Sequence, residues 1–318
     1  MEKNFVLEIA SLVGEPINTQ LPVPVEIDAI ADTATAKAGE HVWRYSAMEG
    51  TADVILDIDA SGDITVKKRD PLGDVELTFK GLNSKLEYVL VDDILGSPDT
   101  QVLGRRRASL IRGMDKREVK LILDAILAKT AGYLPGVNPH EYTVQSGDDL
   151  YDALIGMKHL VEDYGDNYSL LVGTTVKEKI DTYDKDKAGT FNYNVTLTAK
   201  LKELGISVTK IFGQVSVLDN ETEVDLMDKK KAILVAKNST IAEGKPIKFV
   251  RRVINPDIAE LMGADVDSAQ RATIVNPTPV VVSGTNKLAY GVYGYESIIF
   301  CITNPKAIVI SDLTTVVS

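Results

Sequence analysis

At 318 residues, with 44% apolar and 25% charged side chains, the chain is long enough to bury one large core or two modest ones. No apolar run approaches the ~20 residues that cross a bilayer, and a net charge of −11 argues against a dedicated nucleic-acid reader, whose footprint is basic. The same charge is compatible with a container for nucleic acid, because an acidic wall repels its contents and keeps free subunits soluble.

Met1-Glu-Lys-Asn-Phe5 lacks the basic start, apolar core and small-residue cleavage site of a secretory leader. Residues 1–45 read as an extended arm. Pro16, Pro22 and Pro24 each remove a backbone donor and bias the preceding residue away from helix. Leu21-Pro-Val-Pro-Val-Glu-Ile27 is too apolar for a free tail and requires a covering surface. Ile30–Tyr45 reads as two short strands around the turn Lys37-Ala-Gly-Glu40. Next, Val54, Leu56 and Ile58 alternate with aspartates, and Ile64 and Val66 with polar residues, which is the period of strands with one apolar face. Asp59-Ala-Ser-Gly-Asp63 between them has the composition of a hairpin turn. Val75-Glu-Leu-Thr-Phe79 forms a third strand. Such a ribbon is marginal by itself.

One strong helix signal spans residues 98–130. Ser97 suits its N-cap, Pro98 its first position, and Gly132 and Pro135 its stop. Its apolar face comprises Val102, Leu103, Leu110, Ile111, Met114, Ile122, Ile126 and Leu127, and its length is roughly 50 Å at 1.5 Å per residue. Gly104 and Gly113 are candidate bend points. Leu110, Met114 and Ile122 are expected to pack on a sheet, with Arg105, Arg106 and Arg107 dispensable for folding. Past this helix the pattern becomes compact and mixed. A capping-box start at Ser146-Gly-Asp-Asp149 opens a helix whose face is Leu150, Leu154, Met157 and Val161. Strands are expected at 168–172, 206–212, 232–236, 247–254, 272–275, 280–282, 297–303 and 307–310, with short helices near 175–182 and 197–204. An arm, a ribbon and a long helix that cannot bury themselves suggest a subunit completed by its neighbours.

Several motifs compete with plainer readings. Asp57-Ile-Asp-Ala-Ser-Gly-Asp-Ile64 imitates the start of an EF-hand calcium loop, but its twelfth position, which needs a bidentate glutamate, is Lys68, and its flanks alternate as strands. A hairpin tip is the default. Arg105, Arg106, Arg107, Arg112, Lys116, Arg117 and Lys120 form the densest basic cluster. On a helix they spread over several faces as a solvated surface, or they meet packaged phosphate or the acidic ribbon of a neighbour. Cys301, the single cysteine, cannot close an internal disulfide, which points to a reducing compartment. Set in Ser297-Ile-Ile-Phe-Cys-Ile-Thr303, it reads as a buried inert thiol. His41, His140 and His159 match no metal spacing. Asp92-Asp93 and Asp148-Asp149 look like loop and cap residues. Nucleotide-loop and zinc-protease signatures are absent. No catalytic, cofactor-binding or metal-binding residue is assigned, and no enzyme activity is expected.

The order of these pieces resembles the major capsid protein of tailed bacteriophages, the Hong Kong 97-type fold that encapsulins share. The segments that carry the likeness are the arm, the ribbon, the long helix, Asp148–Leu160 followed by Tyr168-Ser-Leu-Leu-Val-Gly-Thr-Thr175, Asp184-Lys-Asp-Lys-Ala-Gly189, Lys231-Ala-Ile-Leu-Val-Ala236 and the terminal strands of Tyr295–Asp312. The resemblance implies an α+β fold with an N-terminal arm (1–46), an extended β-hairpin loop (47–88) and a peripheral domain (89–145) containing a spine helix (98–130). An axial domain (146–240), a peripheral return (241–295) and C-terminal strands (296–318) would follow. It further implies hexamers and pentamers of an icosahedral head shell enclosing double-stranded DNA without sequence specificity. The partners would be scaffolding, portal and decoration proteins, with assembly in the host bacterial cytoplasm, a final place in the virion capsid and no membrane. The missing long N-terminal helical extension implies a separate scaffold or none. Lys67, Lys68 and Asn276 could be cast in the family's occasional covalent crosslink, though nothing in the sequence singles them out. The alternatives are an encapsulin-type compartment and, in a different class, a soluble monomeric α/β enzyme or calcium-dependent binding module.

Overall fold

The computed structural model describes residues 23–47, 73–84, 87–96, 102–128, 138–186, 196–217, 222–238, 244–255, 257, 270–282 and 284–317. The ribbon from Val54 to Val66, the calcium-loop mimic with Lys67 and Lys68, the helix cap at Ser97 and Pro98, and the stop at Gly132 and Pro135 lie outside these residues. In chain order the described elements begin with helix α1 (Val25–Asp28), β1 (Ala31–Ala36), β2 (Val42–Ala47), β3 (Gly73–Thr78), β4 (Lys80–Asn83) and β5 (Glu87–Leu90). Helices α2 (Val91–Gly96) and α3 (Val102–Leu127) follow, then β6 (His140–Tyr142), α4 (Leu150–His159), β7 (Asp166–Val172), α5 (Thr174–Asp186) and α6 (Leu197–Glu203). The remainder is mostly strand: β8 (Ile206–Lys210), β9 (Gln214–Val217), β10 (Thr222–Asp225), β11 (Lys231–Lys237), β12 (Ile247–Arg252), β13 (Arg271–Val282), β14 (Thr285–Ile302) and β15 (Ile308–Asp312), ending in the single turn α7 (Thr314–Val317).

Five strands in the order β6-β15-β11-β7-β8 form one sheet. Tyr168, Leu170, Val172, Ala232, Leu234 and Ala236 point to one side, into a core shared with Leu154, Met157, Val176, Ile180 and Leu201 of the helices. Leu171, Ile233, Val235, Ile308 and Ile310 point to the other, where they meet Val119, Ile122, Leu123 and Ile126 of α3. Coverage on both faces is why these strands read as unbroken apolar runs. Helix α4 starts at Asp149, whose side chain accepts from Asp152 N while the Asp152 carboxylate accepts from Asp149 N. The capping box therefore opens on Asp149 and not on Ser146. Gly205, at φ +76°, turns the chain out of α6 into β8.

The second sheet is organised by the 18-residue β14. Ile298 pairs with both Arg251 of β12 and Lys80 of β4, and Glu296 with both Arg271 of β13 and Leu82 of β4. A residue has one partner on each edge, so β12 and β13 lie end to end along one edge, and β4 and β5 along the other. Strand β1 adds to β12 in parallel. One face of this sheet receives α3. The opposite face, with Ala36, Val250 and Ile299, is covered by Trp43, Leu77 and Phe79 from the antiparallel pair β2–β3 and its exit.

Several sequence expectations change. Val25–Asp28 is a helical turn where extended chain was expected, since no proline follows Pro24 to bar it. Ile27, Ile30 and Ala31 are buried at 1%, 1% and 0% exposure in the core under α3, so from Ile27 onward the covering surface is the chain itself. The two strands expected at 272–275 and 280–282 are one strand that runs through Pro277 and Pro279. Two residues apart, both prolines present their missing N–H to the same side, and β13 has no described partner beyond β14, so the ladder survives. The hairpin β9–β10 was not foreseen, being short and polar. The helix α3 runs unbroken through Gly104 and Gly113, where an added Cβ meets nothing within 4 Å.

Ile122, 1% exposed between the two sheets, should cost about 2–5 kcal/mol when cut to alanine. Leu110 is only half-buried, so Leu110→Ala should cost visibly less. Denaturant melts of the two variants check the order; equal losses would mean that the buried stripe has been misplaced.

Candidate functional site

Helix α3 meets the long sheet through a stripe recurring every fourth residue: Leu110, Met114, Glu118, Ile122 and Ile126. The backbone of β14 comes close at Gly294, where a Cβ would stand 2.5 Å from Leu110 Cδ2 and 2.6 Å from Met114 Sδ. One turn further on, the stripe carries a carboxylate. Glu118 is 0% exposed, and it lies over Arg251 (3%), Arg271 (2%) and Glu296 (0%).

The strand register assembles this cluster. Arg271 sits opposite Glu296 and Arg251 opposite Ile298, so with the period of two all three charged residues share the face under α3. Arg251 donates to both carboxylate oxygens of Glu118, from Nε at 2.9 Å and from Nη2 at 2.6 Å. Arg271 donates from Nε to Glu296 Oε2 at 2.5 Å and from Nη1 to Asp115 Oδ1 at 2.7 Å. Its Nη2 stands 3.5 Å from Glu118 Oε1, without a hydrogen bond. Burial opposes the charge on Arg271, yet Glu296, Glu118 and Asp115 outweigh it and hold its pKa above the ordinary value. Glu296 is pushed up to about 7, first by burial and then by Glu118, against the pull of Arg271 and Arg251.

Nothing in the sequence reading singled out these five residues. The available signals were a glutamate four residues from both Met114 and Ile122, and arginines near the end of Ile247–Arg252 and at the start of Arg271–Val282. Of the basic cluster that was singled out, Arg105, Arg106, Arg112 and Lys116 are exposed. Arg107, expected to be dispensable for folding, donates from Nε to Thr273 Oγ1 of β13 at 2.8 Å in a part-buried position. Lys120 pairs with Asp124 at 2.7 Å. Arg112, Lys116 and Arg117 line a groove of about 670 Å³ between α3, β4 and the β9–β10 hairpin, with Leu110, Met114 and Val215 as its apolar part. Lys116 Nζ donates across it to Gln214 O at 3.2 Å.

Cys301 is buried, and burial pushes its thiol up to about 12. The histidines stay apart: His41 is 3.5 Å from Arg252 Nη1, His159 is 3.1 Å from Glu162, and His140 lies 5.7 Å from the Tyr164 ring. Among the described residues no group of three or more His, Cys, Asp or Glu could hold a metal ion. Asp148 accepts from Tyr142 Oη and Gln145 N, and Asp149 caps α4, as loop and cap residues should. No helix among the described residues is long and apolar enough to cross a membrane.

Glu118→Ala should destabilise the subunit by about 3–5 kcal/mol, because it takes the two-oxygen carboxylate from the buried Arg251 and one of the three carboxylates around the buried Arg271. Arg106→Glu on the exposed side should stay within about 1 kcal/mol. Denaturant midpoints measure both, and a small loss for Glu118→Ala would show that solvent reaches the cluster.

No protein-family model matches the chain, and no curated protein sequence matches it. Solved structures do. The capsid of an empty GTA particle superposes with a TM-score of 0.55 at 10% identity, covering 94% of this chain and 93% of that one. The SrpI encapsulin complex from Synechococcus elongatus gives 0.51 at 13% identity, covering 96% and 94%. A structure from Gordonia phage Cozz gives 0.51 at 12%, covering 94% and 90%. With its mixed α/β elements matched over nearly the whole length, the chain has the Hong Kong 97-like fold of phage capsid and encapsulin shell proteins.

Proposed function

We propose that this chain is the major capsid protein of a tailed phage, a structural subunit whose hexamers and pentamers form an icosahedral head around double-stranded DNA. The likeness to capsid structures over 94% of the chain carries this reading. In it, α3 is the spine helix of the peripheral domain, the five-stranded sheet belongs to the axial domain, and the parts of the arm (1–46) and of the extended loop (47–88) that the subunit's own sheets do not take up reach adjacent subunits. Large apolar side chains left open on the subunit, Val281 at 70%, Phe212 at 61% and Leu288 at 56% exposure, are surfaces that neighbours would cover. At roughly 25 cal/mol per Å² of apolar area, many modest contacts hold a shell while each stays reversible during assembly. The groove of Arg112, Lys116 and Arg117 suits an anionic strip, such as Asp53, Asp57, Asp59 and Asp63 of a neighbour's loop or packaged phosphate. Scaffolding, portal and decoration proteins are the expected partners, with assembly in the bacterial cytoplasm and a final place in the virion.

The encapsulin likeness, as strong as that to the phage structure, favours a second reading: a compartment of the same fold that stores a cargo protein. Expression of the full chain followed by sedimentation and negative-stain imaging tests both. Closed particles of uniform size are expected. A sharp monomer at every concentration and salt would overturn the shell reading. Nuclease-protected DNA inside particles from the native source separates the phage head from the compartment, which would instead hold a cargo protein.

Deleting residues 1–22 should leave the subunit's melting unchanged, because its own core takes up the chain from Val23 and Ile27. The yield of closed particles should fall. Normal particle counts from the truncated chain would show that the arm makes no contact between subunits.

A further inference from the structure

We propose that the contact between α3 and the long sheet is a proton-operated latch, in which Glu296 carries a proton when the joint is tight and loosens it on ionising. The geometry leaves Glu296 short of partners. From α3 it faces Glu118, with Asp115 beyond; from β12, Arg251; from β13, Arg271; β4 places apolar Leu82 across from it. Arg251 is committed to both oxygens of Glu118. Arg271 is divided among three carboxylates, giving Nη1 to Asp115 at the rim and turning Nη2 toward Glu118. Glu296 therefore receives one hydrogen bond, from Nε, while its Oε1 is buried without a partner. An ionised carboxylate left in that state is costly. A proton on Oε1 removes the charge and leaves two guanidiniums facing two carboxylates.

The sign follows from linkage. In the folded chain burial and Glu118 push Glu296 from its ordinary 4.5 up to about 7. The stability held in this proton is complete below the ordinary glutamate range and is lost as pH rises through about 7. Among the described residues His140, whose Nε2 is also buried without a partner, runs the opposite way. Burial and then Lys306 lower its pKa, so the stability held in its neutral form is lost as pH falls.

Hydrogen exchange at the α3 amides from Met114 to Ile122, corrected for intrinsic rates, reads the joint in the full chain. Between about pH 6 and about pH 8.5 the opening constant should rise about tenfold in the parent and stay level in Glu296→Gln. A level parent profile, or a rise that persists in Glu296→Gln, overturns the latch. Should that variant fail to fold, carbon-13 titration of the parent's Glu296 carboxyl decides: a midpoint near neutrality supports the latch, and one in the ordinary carboxylate range overturns it. The latch does not depend on the shell reading, so its failure leaves that reading standing.

Discussion

A guanidinium is costly to take out of water unless it is paired, and at the middle of this subunit two paired ones are buried. Arg251 and Arg271 lie beneath α3, and their partners come from the helix and from β14. This contact constrains much of the fold. A slip of one residue in the pairing of β13 with β14 would carry Arg271 to the opposite face and leave Glu296 alone in the core. A rotation of α3 would withdraw Glu118 from Arg251. Buried ion pairs contribute little net stability compared with apolar packing of the same volume. Here the cluster's effect is to penalise wrong registers, while the apolar residues on either side, Met114 and Ile122, supply the burial.

Around that joint, β14 acts as a frame. Its length lets four strands dock along two edges, so the segments before α3 and those near the C-terminus are tied into one sheet. The N-terminal segment is anchored to the same frame. Asp32 accepts from Lys245 N at 2.9 Å and from Lys248 Nζ at 2.5 Å, and Ser169 donates to Ala29 O at 2.7 Å, which ties β1 to β12 and α1 to the five-stranded sheet. The outer edge of β13 carries Pro277 and Pro279, which offer no donor to another strand. The exposed Val281 and Leu288 lie on the same hairpin, beyond the part of the sheet that α3 covers.

Local periodicity alone determined α3, the capped helix α4 and the strands buried on both faces. Each of these is specified by residues a few positions apart: the four-residue stripe of Met114, Ile122 and Ile126, the Asp149 cap, and runs such as Leu170-Leu-Val172. The likeness to shell proteins was legible in their order. Tertiary structure alone decided the rest. Arg251 and Glu118 are 133 residues apart, and Arg271 and Asp115 are 156 apart, so no spacing rule could join them. In isolation Glu118 reads as a surface residue, because a charged side chain on a helix is normally solvated; only the register of β12 and β13 on β14 reveals that its partners are buried with it. The prolines of β13 divide a strand when read locally and are harmless at an edge, and a sheet's edges exist only once its strands have been assembled.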